Sequence, residues 1–399
     1  MKNTISIAQA RNVILHCQEL NKISSGGNKK SLLKSIEHLG YVQIDTLAVV
    51  ERAHHHTLWS RNKNYKNTIL EDLMQKDKSV FEYWSHAASY LPMCDYRFSL
   101  LRKNEYLKGK QHWFEQDKKV MRFVLDRIKA EGALMSKDFD NPDKNKGSWY
   151  YWKPAKKALE QLFMEGSLMV AGRKGFQKVY DITERVLPTS VNTKMPTANE
   201  YAEFLITSAI RSNGIITESE IGYLKSKYKP LIKKKLLNLV KQGSIVKVKV
   251  EGLAEDYYTS TKNLKYVTIE TSQQVHILSP FDNLLIQRKR IEKLFSYNYL
   301  IECYVPEHKR VHGYFCLPLL YGNNFIGRAD MKADRQNKTL IVKKLILENK
   351  PIVNAALIDA LKKTVTEFAS FNDCTAILVE STNATIKTDR LLKSVLKIS

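Results

Sequence analysis

The 399-residue chain is expected to adopt an α+β fold in which three successive helical units, each closed by strands, precede a mostly antiparallel β region. Two observations predict this. A plan of three amphipathic helices followed by a glycine-turned hairpin occurs twice, and a looser version occupies the N-terminus. Beyond about Leu264, helical spacing of apolar residues gives way to alternation with a period of two.

In the N-terminal unit (residues 1–115), Ser6 to Leu20 and Lys29 to His38 read as helices, and Tyr41 to Asp45 as a short strand directly after the second. The next unit (116–190) has a helix over Lys119 to Ile128, a short second helix opened by Gly132 to Phe139, and a third over Lys153 to Glu165. Its hairpin pairs Leu168–Ala171 with Lys178–Asp181 through the Gly172-Arg173-Lys174-Gly175 turn. In the third unit (196–262), Thr197 to Ser212 is helical, and Thr217 with Glu220 forms a capping box that opens the next helix. Pro230 to Gln242 follows, then strands over Ser244–Val250 and Glu255–Ser260. Three helices and a wing make a winged helix, a helix-turn-helix variant whose third helix fits the major groove of DNA. The last region (263–399) offers strands at Gln274–Leu278, Tyr299–Val305, Gly313–Leu320, Asn324–Lys332 and Thr339–Leu345, a helix over Ile352 to Ser370, and a closing strand at Ala376–Glu380.

A formal charge of +23 and a pI near 9.6 point to a polyanionic partner, with nucleic acid the first candidate. No apolar run is long enough to span a bilayer, and polar residues interrupt the N-terminal stretch where a signal core would lie, so a cytosolic, nucleoid-associated protein is expected. Five cysteines without a CxxC spacing imply neither a disulfide framework nor a structural zinc. Arg173, Lys174 and Lys178 at the second wing, Arg61, and the basic Arg288-Lys289-Arg290 cluster suit phosphates. For Arg61, a cap or an internal salt bridge explains the residue equally well; for the basic clusters, so does a solvated face.

Chemistry concentrates in Gly40 to Arg61. Gln43 and Asp45 alternate with Val42, Ile44 and Leu47, which aims both polar side chains to one side of an extended segment. A carboxylate there can face a developing cation or hold a water that the amide orients; an exposed strand end or a helix cap would show the same residue types. His54, His55 and His56 are consecutive, diverge by roughly 100° on a helix, and so cannot converge on one metal. They and His86 are candidates to support the site. Trp59, Trp84 and Tyr90 are candidates for either a pocket wall or core. Glu51 is the nearest further acid, and the nearest lysines, Lys34 and Lys63, read as polar and exposed.

The segments Val42–Leu47, Ala53–Arg61, Phe81–Pro92, Leu278–Leu284, Ile301–Pro306 and Gly327–Arg335 together resemble the winged-helix DNA glycosylases of the YcaQ/AlkX and AlkZ group, over nearly the whole chain. The resemblance implies three tandem winged helices, a C-terminal β domain and a basic concave surface for duplex DNA. Gln43-Ile44-Asp45 matches the Gln–aliphatic–Asp form of that family's catalytic triplet, as in YcaQ/AlkX. Gln43 and Asp45 are then the catalytic pair, with Arg328 from the Gly327–Arg335 segment added to the DNA contacts. The expected reaction is hydrolysis of the N-glycosidic bond of alkylated purines and unhooking of interstrand cross-links, by water, without metal or cofactor, in a monomer. The competing expectation is a winged-helix DNA-binding or regulatory protein without chemistry.

Overall fold

The structure is a computed structural model describing residues 4–21, 28–110, 115–139, 154–348, 353–383 and 385–396. Lys153 and Ile352, with which two expected helices begin, lie outside the described residues. The chain divides into two compact units that are not contiguous in sequence: one holds 1–27, 42–65 and 202–399, the other 28–41 and 66–201.

In the first unit, the N-terminal helix Ile7–Cys17 starts where Ser6 and Gln9 satisfy each other's backbone N–H groups in a capping box. Its apolar stripe, Ala10, Val13, Ile14, Leu15 and Cys17, is buried. That stripe packs into a core shared with Val248 and Tyr257 of the third hairpin and with Leu278, Leu285, Phe295 and Phe325 of the C-terminal region. The strand before it, Thr4–Ile5, pairs in parallel with Lys249–Val250 and so completes a three-stranded sheet with Ile245–Val250 and Asp256–Ser260. The first helix therefore serves as a seam for the C-terminal half of the chain.

Helices Ala198–Asn213, Glu218–Ile221 and Lys229–Lys241 precede that hairpin in the order expected. Their shared core is Ile206, Ile210, Ile221, Ile232, Leu236 and Tyr258. Thr217 and Glu220 form the capping box. The C-terminal region is a five-stranded sheet ordered Val275–Ile277, Cys316–Tyr321, Asn324–Asp334, Thr339–Leu347 and Ala376–Val379. Only the last pairing is parallel, reached by the crossover helix Ala355–Phe371.

The expected strand over Tyr299–Val305 does not form. Buried Glu302 accepts the N–H groups of Val311, His312 and Gly313 at 2.8–3.0 Å, so a carboxylate satisfies this backbone where a strand neighbour otherwise would. The loop closes on Asp330, which accepts from Tyr314 and Phe315. Gly313 has φ +145°, and an added Cβ would lie 2.3 Å from the Asp330 carboxylate, so only glycine fits there.

In the second unit, helix Lys118–Glu131 and helix Pro154–Glu165 lead into the hairpin Leu168–Lys174/Gln177–Ile182. The expected helix near Gly132–Phe139 is instead a two-residue strand, Leu134–Met135, paired to Tyr180–Val179, followed by a 3-10 turn. Asp138 accepts the Met135 N–H at 2.7 Å, and this local bond competes with helix formation. A second hairpin, Val80–Trp84/Ala88–Pro92, belongs to the same unit. Among the described residues no helix is long and apolar enough to cross a membrane.

Candidate active site

The strand carrying the Gln43-Ile44-Asp45 triplet is shorter than the alternation suggests, covering only Val42–Gln43. Asp45 ends it: its Oδ1 accepts the Leu47 N–H at 2.8 Å, an Asx-type turn that takes the chain out of extended geometry. Gln43 is buried and Asp45 half-buried. Burial raises the Asp45 carboxyl above its ordinary value, opposed by the N–H groups of Leu47 and Thr46.

The loop behind Asp45 is held from the C-terminal region at four points. Arg335 donates from Nη1 to Ala48 O at 3.0 Å and from Nη2 to Val50 O at 3.2 Å. Ala333 N–H donates to Val49 O at 2.9 Å, extending the Asn324–Asp334 strand onto the loop. Asn372 Oδ1 accepts the Glu51 N–H at 2.7 Å and is itself fixed by its Nδ2 donating to Phe368 O. Glu51 turns its Oε1 onto the N–H of Arg52 at the start of helix Ala53–Trp59, so it acts on the helix N-terminus. A cleft of about 210 Å³ opens beside the clamp, lined by Ala48, Val49, Tyr314, Lys332 and Arg335 among others.

The Ile301–Gly313 loop brings a second element to the carboxylate. After burial, the Asp45 charge is the largest influence raising both the Cys303 thiol and the Tyr304 phenol, which places both groups within its field. Tyr304 is 70 % exposed and Val311 71 %, on a loop whose base is locked by Glu302 and Asp330. A loop hydrogen-bonded at its base that holds an exposed aromatic ring within the field of a carboxylate offers a nucleobase a stacking surface. Tyr304 was not singled out from sequence, because a helical or strand period says nothing about a loop residue; its one signal was membership in the Ile301–Pro306 segment.

The histidines turn out to be internal. His55 Nδ1 lies 2.6 Å from the Tyr65 hydroxyl, His56 Nε2 2.9 Å from Ile277 O, and His54 is buried. Burial lowers the pKa of His55 to about 3 and of His56 to about 4, so both rings are neutral. Trp59 is core, stacked on Phe371 at 4.9 Å. His86 packs edge-on against Tyr41 and Trp84 lies under Arg102; both belong to the second unit, as does buried Tyr90. Lys63 is not the exposed residue its context suggests: its Nζ sits 3.3 Å above the Trp59 ring, 3.9 Å from Glu367, and burial lowers its pKa to about 7.

Most of the arginines expected on DNA are braces inside the protein. Arg61 is buried and makes a two-pronged pair with Asp282, at 2.6 and 3.0 Å, while donating to Gln18, Thr57 and Ser60. Arg290 is paired to Glu220 and Arg328 to Glu348, both fully sequestered. Arg173 and Lys178 share buried Glu82, with Glu160 also on Lys178. Lys174 is exposed at the wing tip, and Arg288 is half-buried. Composition counts cations without revealing which have a carboxylate waiting in the core, and that explains the difference.

Against known proteins, the family profile described as DNA glycosylase AlkZ-like matches residues 36–371. Among solved structures, Streptomyces sahachiroi DNA glycosylase AlkZ superimposes with a TM-score of 0.61 at 15 % identity, covering 96 % of this chain and 100 % of that one, a likeness of fold. The chain belongs to the AlkZ-like DNA glycosylase family, which makes it a DNA-repair enzyme and not the non-catalytic regulator that its repeated units also allowed.

Proposed function

We propose that this glycosylase hydrolyses the N-glycosidic bond of alkylated purines in duplex DNA and unhooks interstrand cross-links, with Asp45 and Gln43 as the reacting pair. The observation carrying this reading is the half-buried Asp45 carboxylate, presented at a strand end on a loop pinned by Arg335, Ala333 and Asn372. Alkylation at purine N7 or N3 makes the base cationic and a good leaving group, so little protonation by a general acid is needed. As the bond stretches, positive charge develops on the deoxyribose. A carboxylate fixed in a partly desolvated setting opposes that charge more strongly than one in water, and it can orient or deprotonate the attacking water. Gln43 adds a neutral group that holds the water or the sugar edge. Glu51, committed to the Arg52 N–H, is not needed as a second acid.

A cross-linked base is tethered to the opposite strand and cannot rotate freely into a deep pocket. Approach from a groove suits it, with exposed Tyr304 stacking on or beside the lesion. In this reading the stretches 1–115, 116–190 and 196–262 act as three DNA-binding winged helices ahead of the β domain at 263–399. Three such units in one chain let a monomer cover the duplex, and Lys174 at the exposed wing tip contributes a phosphate contact.

The test is base release from duplex carrying N7-methylguanine and from duplex carrying a mustard cross-link, comparing wild type with Asp45→Asn and Gln43→Ala. Asp45→Asn should bind undamaged duplex normally and lose most base release, and Gln43→Ala should lose about 10- to 1000-fold, as for an orienting group. Undiminished release by Asp45→Asn would refute the assignment.

A further inference from the structure

A pocket of about 400 Å³ lies in the first unit, lined by Thr217, Glu220, Tyr257, Gln287 and the basic run Arg288, Lys289 and Arg290, with Lys293 and Glu255 at its edge. Its charges do not cancel. Arg290 is matched by Glu220 and Lys293 by Glu255, which leaves Arg288 and Lys289 without a carboxylate among the described residues. Arg288 is held in place all the same: its Nη2 donates to Pro280 O at 2.8 Å and its guanidinium lies over the Tyr299 ring at 4.6 Å. Its Nη1 is buried and has no hydrogen-bond partner, and neither does the hydroxyl of fully buried Tyr257. A buried guanidinium N–H and a buried hydroxyl left unsatisfied are costly, and together with Arg290 Nε, also buried without a partner on this pocket, they call for an acceptor.

The backbone supplies the same polarity. Helix Arg288–Phe295 begins at this pocket with no side-chain cap and no acidic residue in its first turn. Gln287, at the capping position, donates its amide to Glu220 O instead. The partial positive charge of the first turn is therefore unneutralised where the unpaired guanidinium stands, and the two favour the same kind of ligand.

We propose that this pocket is a phosphate-binding site, in which one phosphate group takes Arg288 Nη1, the N-terminus of helix Arg288–Phe295 and the Tyr257 hydroxyl as donors, with Lys289 at the rim. A phosphodiester of the bound duplex and a free phosphate ion present the same oxygens to these groups. The site deepens the duplex-binding part of the proposed function and rests on that reading only for the phosphodiester source.

The full-length chain tests it in two arms, using Arg288→Gln, Tyr257→Phe and Lys289→Gln. Tyr257→Phe and Lys289→Gln remove no hydrogen bond made in the structure, so they keep the test valid if Arg288→Gln folds poorly. In the first arm, melting is followed as inorganic phosphate replaces chloride at constant ionic strength: wild type should gain stability and the variants should gain less. In the second, affinity for undamaged duplex is measured against salt, and the Arg288→Gln and Lys289→Gln variants should each lose slope in log affinity against log salt, up to about one unit for the single phosphate they share. A phosphate response with unchanged salt slopes assigns the site to free phosphate, and reduced slopes assign it to the backbone. Variants that match wild type in both arms overturn the proposal. Failure of wild type to release N7-methylguanine would sink the catalytic reading and leave both arms interpretable.

Discussion

Replacing Arg61 with methionine separates its two possible roles, surface phosphate contact and internal brace. The guanidinium is 1 % exposed and the partner Asp282 carboxylate 0 %. Asp282 receives two of its hydrogen bonds from Arg61 and a third from the Leu284 N–H, so the substitution leaves a buried carboxylate with one backbone donor. Breaking a buried pair from one side costs about 3–5 kcal/mol. For a unit of this size, about 2–4 °C per kcal/mol, the melting temperature should fall by about 6–20 °C. Arg61→Met/Asp282→Leu removes the stranded charge as well and should recover most of that loss, because buried pairs replaced by apolar groups of similar volume are often neutral. Melting followed by tryptophan fluorescence gives the stability, and duplex affinity is measured well below the transition. Both variants should bind undamaged duplex with the wild-type salt slope. An Arg61→Met protein as stable as wild type, with weakened duplex binding and a slope reduced by about one, would refute the internal assignment.

Burial raises the folded Asp45 pKa above its unfolded value, so the folded state holds this proton more tightly and the charged carboxylate costs stability at pH above the folded pKa. Asp45→Asn should therefore be at least as stable as wild type at neutral pH while losing base release, and the acid limb of wild-type activity should lie above the ordinary carboxylate range; melting and a pH–rate profile check both. His56 and His276 have folded pKa values lowered by burial to about 4 and about 3. The unfolded chain takes up these protons near pH 6.5, so stability is fully present above that pH and falls by up to about 1.4 kcal/mol per pH unit for each histidine as pH drops toward 4; equal urea midpoints at pH 7 and pH 5 would contradict this. Arg335→Ala removes two charge-assisted bonds from an exposed residue to the loop behind Asp45 and should lower kcat by about 5- to 30-fold, with Arg335→Lys partly restoring it and duplex affinity unchanged. Lys63, despite its lowered pKa, rests on Trp59 and Glu367, so the product should be an intact abasic site with no borohydride-trapped adduct; an adduct lost in Lys63→Met would replace water with lysine as the nucleophile.

Local pattern was sufficient for much of this protein. The helices at Ile7–Cys17, Ala198–Asn213 and Lys229–Lys241, the Thr217–Glu220 capping box and the glycine-turned hairpin at 168–182 depend on contacts within a few residues, and these are written directly in the chain. The Gln43-Ile44-Asp45 triplet was legible for the same reason, as a short motif with a family likeness. Pairings across long sequence separations were not. That Thr4–Ile5 joins a strand some 240 residues away, that Glu302 replaces a strand neighbour for Val311–Gly313, and that Arg335 and Asn372 hold the loop behind Asp45 all follow from packing. The cationic composition announced a polyanionic partner, but a net charge is a sum over the surface and the core alike. Only the tertiary structure buried Arg61, Arg290 and Arg328 against the carboxylates of Asp282, Glu220 and Glu348 and left Arg288 unpaired beside a pocket, because the cost of burying a charge decides where each partner must stand.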